Sequence, residues 1–146
     1  HPDTLTSRNN LAHAYQTAGR LTEAIPLYET TLSALERTLG NEHPDTLTSR
    51  NNLAGAYQAA ERLAEAIPLH ETTLSALERT LGDEHPNTLT SRNNLGGAYQ
   101  LAGRLTEAIA LYESTVAVRE RVLGEMHPST VASREILAHA YRLRDE

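Results

Sequence analysis

The amino-acid sequence predicts an all-α protein, a solenoid of seven helices stacked in antiparallel pairs. Three observations predict it. Ser-Arg-Asn-Asn-Leu stands at residues 7–11, 49–53 and 91–95, with an altered copy, Ser-Arg-Glu-Ile-Leu, at 133–137, so the spacing is 42 residues throughout. A strict period of that length marks a repeat protein whose units bury their apolar faces only against neighbours. Within each unit, apolar residues recur in steps of three and four, the spacing of one helix face. The 146 residues are rich in Ala, Leu, Thr, Glu and Arg, with six Tyr and neither Phe nor Trp. That composition favours helices and offers little aromatic material for a β-sandwich core.

The whole chain, 1–146, reads as one array: units 1–42, 43–84 and 85–126, then a terminal helix in 127–146. The first unit opens with His1, Pro2, Asp3 and Thr4. Pro2 suits a first helical turn, where its missing N–H loses no partner. From about residue 3 to Ala18, one stripe holds Leu5, Leu11, Ala12, Tyr15 and Ala18, with Arg8 also on it. Gly19 is the expected stop. A second stripe runs through Leu21, Ala24, Ile25, Tyr28, Leu32, Leu35 and Leu39, closed by Gly40. The link between these helices, A and B, is two or three residues, so they must pack antiparallel. Pro26 lies inside helix B and is tolerable only near its first turn or with a bend; Ala110 replaces it in the third unit. The second unit differs from the first at six positions, among them Glu61 for Gly19 and His70 for Tyr28. A non-glycine residue in a left-handed cap costs about 1 kcal/mol, so the turn at Glu61 is expected to be looser or differently shaped. The third unit diverges mostly in helix B, at Val116, Ala117, Val118 and Arg119. No polar end cap is obvious at either terminus, which makes end-to-end self-association an expectation. The chain begins at His1 without Met, in phase with the repeat, as an excised fragment would.

A net charge of −6, spread along the units, does not invite polyanions, so nucleic acid is not an expected partner. All thirteen basic residues are Arg. With no cysteine there is neither a disulfide framework nor thiol chemistry. No run approaches membrane-spanning length and no signal peptide is visible; a cytoplasmic setting is the default expectation, without a membrane partner.

The pattern Asn-Asn-Leu-Ala-x-Ala-Tyr-x-x-Ala-Gly-Arg-Leu-x-Glu-Ala-Ile-x-Leu-Tyr resembles the tetratricopeptide repeat (TPR). The family's small and large positions fall on Leu11, Ala12, Tyr15, Gly19, Leu21, Ala24 and Tyr28. They recur on Leu53, Ala54, Tyr57, Glu61, Leu63, Ala66 and His70, and on Leu95, Gly96, Tyr99, Gly103, Leu105, Ala108 and Tyr112. The usual repeat is shorter. The long helix B and the His-Pro-Asp start resemble the kinesin-light-chain-like subgroup, whose close relatives form arrays on bacterial, especially actinobacterial, signalling ATPases. The resemblance implies a right-handed superhelical stack and a protein-interaction scaffold, with helix A lining a concave groove. The chain departs from the family where Arg8, Arg50, Arg92 and Arg134 occupy an often aromatic position.

Opposite the apolar stripe of helix A lie Thr6, Asn10, His13 and Thr17, with Asn9 at the edge. Angle and resemblance thus agree on a groove face. Asn carries an amide donor and a carbonyl acceptor and can pair with a peptide backbone in both directions. Asn9 and Asn10, Asn51 and Asn52, and Asn93 and Asn94 form a candidate ladder for an extended chain, each hydrogen bond contributing about 0.5–1.5 kcal/mol net. The opposing reading is that one Asn of each pair bonds within the fold and only solubilises the face. The line continues through Gly55 and Ala59, Gly97 and Leu101, then Ala132, Ile136, His139 and Leu143, so the face runs from polar to apolar. A mid-helix glycine costs about 1 kcal/mol against Ala; Gly55 and Gly97 are explained either by close approach of a ligand backbone or by crowding inside the stack.

The stripe arginines can bury their stems and reach helix B carboxylates such as Glu36 or Glu29; the rival reading is a row of contacts for an acidic peptide. Some relatives of the resembled family clamp a terminal carboxylate with lysines, which this chain cannot copy. His1, His43, His85 and His127 stand one unit apart, too far for two to lie about 2 Å from one zinc, so they are read as loop caps and no metal or cofactor is expected. His70 is expected in a core tyrosine site, uncharged. No catalytic set is present, and an enzyme is not expected. Two functions remain: a scaffold binding an extended peptide or partner segment in the helix A groove, or a regulatory arm that self-associates or packs on an attached nucleotide-binding domain.

Overall fold

The computed structural model describes residues 2–146, with side chains from residue 4 onward. Seven helices and no strand lie among them. The A helices are α1 (Pro2–Thr17), α3 (Pro44–Ala59), α5 (Pro86–Leu101) and α7 (Pro128–Arg144); the B helices are α2 (Leu21–Leu39), α4 (Leu63–Leu81) and α6 (Leu105–Leu123). The bounds of the first helix B are those its apolar stripe predicts.

Each later A helix starts the same way. His43, His85 and His127 take extended backbone as N-caps, followed by proline. Their Nδ1 atoms accept the backbone N–H of Asp45, Asn87 and Ser129, each at 3.1 Å. The imidazole thus does what a serine or aspartate cap oxygen does elsewhere. His1 lies outside the described residues. Helix B ends on Gly40 and Gly124 at φ 91° and 90°, where the glycine N–H closes on Glu36 and Glu120. Pro26 sits well past the first turn without interrupting α2, and Thr30 Oγ1 donates to its carbonyl at 2.9 Å.

The turn from helix A to helix B corrects one expectation. Gly19 and Gly103 are left-handed at φ 77° and 79°, and Glu61 adopts the same region at φ 62°. The turn at Glu61 is not looser. Arg20, Arg62 and Arg104 N–H groups reach back five residues to Tyr15, Tyr57 and Tyr99 carbonyls at 2.7, 2.8 and 2.8 Å. This is the Schellman closure. Each arginine then stacks on that tyrosine's ring, 4.3–4.8 Å from its centroid. The closure and the stacking hold the turn, and Glu61 carries the strain.

The chain divides into two compact units, His1–Ala76 and Leu77–Glu146, with the division inside α4. In the first, α1 packs on α2 and α2 on α3, around Ala12, Ala24, Ile25, Tyr28, Leu32, Leu53, Ala56 and Tyr57. In the second, α5 packs on α6 and α6 on α7, with Leu95, Ala98, Ile109, Tyr112 and Ala140 buried. Small residues let large ones approach: Tyr112 lies so close to Gly96 that a Cβ there would stand 2.6 Å from its ring. Leu11 is a second correction. Its copies Leu53 and Leu95 are 4% exposed, whereas Leu11 is 47% exposed, with none of the described helices lying over that face.

The stripe arginines pair as expected, with one partner now distinguished. Arg50 is buried and its Nη2 donates to Glu36 at 3.3 Å and to the Asn41 carbonyl at 3.4 Å. Arg92 meets Glu78 at 3.1 Å, and Arg134 pairs with Glu120 and with the Glu125 carbonyl. Glu29 takes the tyrosine of the next helix A: Tyr57 OH donates to it at 2.5 Å, as Tyr141 does to Glu113 at 2.7 Å. Arg8, on α1, is exposed.

His70 fills the tyrosine site. Tyr28 and Tyr112 donate to Gln16 and Gln100 at 2.9 and 3.1 Å; His70 Nε2 lies 3.2 Å from the equivalent Gln58. Its Nδ1 is buried without a partner. Only 2% of His70 is exposed, and burial pushes its pKa down from 6.5 to about 4. The ring is neutral in the fold.

Both departures from the first unit can be tested by stability. Glu61→Gly should stabilise the protein by about 0.5–1 kcal/mol, read as a higher urea midpoint at unchanged slope; an unchanged or lower midpoint refutes strain at Glu61. For His70, the unfolded chain takes up a proton near pH 6.5 and the folded chain only near 4, so its contribution is full above 6.5 and is lost as pH falls through that window. The stability gap between His70→Tyr and the wild type should therefore widen on acidification by up to about 1.4 kcal/mol per pH unit. Parallel pH profiles would rule out a neutral buried His70.

Candidate functional site

The side of helix A opposite its apolar stripe is accessible wherever it recurs. None of Thr6, Asn10, His13 and Thr17 on α1, or Thr48, Asn52, Gly55 and Ala59 on α3, is buried. The same holds for Thr90, Asn94, Gly97 and Leu101 on α5, and for Ala132, Ile136, His139 and Leu143 on α7. The apolar end predicted for the face is present: Leu101 is 62% exposed, and Ile136 is exposed beside His139.

In the first unit the face closes into a pocket of about 470 Å³ between α1, the end of α2 and the start of α3. Asn9, Asn10, His13 and Asn52 line it together. Its floor is Leu5 and Leu35, both buried, and its wall is Leu39, which is exposed rather than core as its place on the helix B stripe predicts. Thr6, Thr38 and Thr48 add hydroxyls; Thr38 Oγ1 donates to the Ala34 carbonyl at 2.8 Å. Asp45, whose N–H is held by the His43 cap, is the one carboxylate in the lining. The floor is apolar and the rim is amide and hydroxyl, a combination that suits an anchored side chain with a hydrogen-bonded backbone.

The asparagines divide. Asn9 Oδ1 is buried and has no hydrogen-bond partner among the described residues, an acceptor that is costly to leave without a donor. Asn10 is exposed and Asn52 half-buried. Asn51 and Asn94 already have interaction partners, so those two are not free rungs of a ladder. Asn93 is half-buried on α5. The two explanations for Gly55 are separated as well: a Cβ there would meet nothing within 4 Å, so crowding does not demand glycine. Helix-angle reasoning missed Leu5, Leu35, Thr38, Leu39 and Asp45, because it followed one helix and the pocket is walled by three. The exposed Leu39, at the last turn of an apolar stripe, was the available signal.

Several described arginines outside the junctions are ion-paired too. Beyond the junction pairs, Arg62 and Arg104 bond Glu65 and Glu107 at 2.5 and 2.6 Å, and these bonds hold both carboxyls below the usual range. Arg121 meets Glu84 at 2.9 Å. No group of three or more His, Cys, Asp or Glu side chains is placed to hold a metal among the described residues. None of the described helices is long and apolar enough to cross a membrane.

Paired helices of this length, closed by a left-handed turn and repeated, define a helical-repeat array. The chain belongs to the tetratricopeptide repeat family: the family model matches residues 3–78, 49–121 and 92–146. Its repeats are of the kinesin-light-chain type. It is 40% identical to the nearly identical TPR-like repeats of a kinesin light chain of Podosopora anserina, with 99% of this chain and 69% of that one covered and a TM-score of 0.90. A single-substitution variant of that protein matches at 40% identity over 97% of this chain and 66% of that one, with a TM-score of 0.88. BtubC (BKLC) from P. vanneervenii is 26% identical, with 97% of this chain and 57% of that one covered and a TM-score of 0.86. The chain thus spans about two thirds or less of these relatives' lengths. No curated protein sequence matches. Repeats of this family generally mediate contacts between proteins, and the scaffold is typically non-enzymatic.

Gly55→Ala should raise stability by about 0.5–1 kcal/mol, the helix propensity gained in open space, as read from the thermal midpoint. A loss of stability would mean that the fold itself needs glycine there.

Proposed function

We propose that the helix A face binds an extended segment of a partner protein, anchored by one apolar side chain in the pocket of Leu5, Leu35 and Leu39. The observation that carries this reading is the pocket itself, with its apolar floor and its rim of Asn9, Asn10, His13 and Asn52. A segment's backbone bonds the amides of that rim while its side chain enters over the leucines. Asn10 and Asn52 stand on the two sides of the pocket to bond the same backbone, and Gly55 leaves room for it farther along α3. The segment is neutral or basic near its anchor: the lining holds Asp45 and no arginine, and an acidic residue there meets a carboxylate with no cation to offset it.

The test is selection of peptides from a random displayed library on the immobilised chain, followed by calorimetry on the winners. Enriched peptides should carry an apolar anchor without flanking Asp or Glu. The double variant Asn10→Ala, Asn52→Ala should bind them roughly 10-fold more weakly, the loss of one to two net hydrogen bonds, at an unchanged melting temperature. Acidic winners, or binding indifferent to the double variant, would overturn the proposal.

A further inference from the structure

The pocket in the first unit has a mouth rich in acceptors. Asp45, in the first turn of α3, lines it together with Leu39, the last residue of α2. Both are exposed, so they stand at the mouth, outside the buried floor of Leu5 and Leu35. The lining contains neither arginine nor lysine to pair with the carboxylate. The Asp45 N–H is already bonded to His43 Nδ1. Thr38 spends its hydroxyl proton on the Ala34 carbonyl, which leaves its oxygen to accept. The end of α2 adds helix carbonyls without intrahelical partners, the negative end of its dipole. A carboxylate in the first turn of a helix is favourable in its own right, but the fold does not require this one. Asn87 and Ser129 hold the same position on α5 and α7, with the same 3.1 Å bond to the histidine cap.

We infer that Asp45 selects a basic residue two positions from the apolar anchor of the bound segment, an inference that rests on the peptide-binding reading of this pocket. In an extended chain, residues two apart point to the same side, about 7 Å from each other. With the anchor over Leu5 and Leu35, that neighbour falls at the mouth. A lysine there lays its methylene stem along Leu39 and brings its ammonium to Asp45 and the acceptors beside it. The partner class is therefore a segment that pairs an apolar residue with a lysine or arginine two positions away. Acetylation of such a lysine removes the charge and keeps the stem, so the site tells the two forms apart.

Four pools of synthetic nonapeptides test this. All carry leucine at position 4 among randomised Ala, Ser, Gly, Thr and Asn, and position 6 is lysine, acetyl-lysine, norleucine or glutamate. Retention on the immobilised chain is read by mass spectrometry. The lysine pool should be retained roughly fivefold better than the acetyl-lysine and norleucine pools, the upper range for a partly exposed ion pair, and the glutamate pool least. Asp45→Asn, the residue that α5 already carries at this place, should level the lysine, acetyl-lysine and norleucine pools at an unchanged melting temperature. Asp145→Asn removes the same charge outside the pocket and should leave the preference intact, which separates the site from general attraction to a chain of net charge −6. Moving lysine to position 5, on the opposite side of an extended segment, should abolish the preference. A lysine preference that survives Asp45→Asn, or that is indifferent to position, overturns the inference. Equal retention of all four pools that falls with the double variant Asn10→Ala, Asn52→Ala overturns it too and leaves anchored peptide binding standing; failure to retain any pool overturns both.

Discussion

A paired guanidinium at each junction, buried at the first two and half-buried at the third, is what the rest of the stack depends on. Arg50 is 4% exposed, a position in which a charge is tolerable only with partners. It finds two: the Glu36 carboxylate, near the end of α2, and the Asn41 carbonyl, in the link that follows. One side chain thus ties the last turn of a helix B, the link after it and the middle of the next helix A. Arg134 repeats the arrangement with Glu120 and the Glu125 carbonyl, and Arg92 meets Glu78 and, at 3.5 Å, Asp83. Helix A can begin at the same place each time because the link is held from both sides, by the arginine and by the histidine cap. Direction is set here too: with the link pinned, the side of the next helix A opposite its apolar stripe is aimed by its own 3.6-residue turn.

Around that constraint the repeats drift in a controlled way. Glu61 enters a left-handed turn without changing its hydrogen bonds, and His70 enters a tyrosine site without recovering the phenol's full pairing. Arg119 replaces the seam leucine represented by Leu35 and Leu77, and bonds Ser133 at 2.5 Å; burial holds its pKa below the ordinary value. Each exchange leaves the backbone path alone and moves a local cost into one side chain. This is what a stack of nearest-neighbour interfaces permits: a weak rung is carried by the rungs beside it.

Much of this is legible in the sequence, and the part that is not has a physical reason. The 42-residue period and the three-and-four spacing place the helices, and the arginine pairs are legible because Glu36 and Glu29 offer carboxylates on the facing stripe. What cannot be read is the choice between them, which rests on how far a tyrosine hydroxyl reaches. Leu11 reads as core because periodicity reports the kind of face a residue belongs to, and not whether anything covers it. Helix angle puts the asparagines on the side away from the stripe, yet their division into engaged and open positions depends on distances set by neighbouring helices. The pocket in the first unit is invisible for the same reason, since Leu35, Leu39 and Asp45 reach it from two other elements.

The sameness of the junctions also bears on how the chain finds its structure. In the unfolded chain, α2 meets near-identical Thr-Ser-Arg-Leu-Ala-Tyr faces on α1, α3 and α5, so contact chemistry alone does not tell it which to take. Chain connectivity decides: closing a short link costs less entropy than closing a long one, though only by about 0.6 kcal/mol per doubling of length. So small a margin leaves register-shifted pairings as kinetic competitors, the characteristic failure of tandem repeats. The divergence of α6 is a partial remedy: with Arg119 where its predecessors have leucine, its seam is no longer interchangeable with those of α2 and α4.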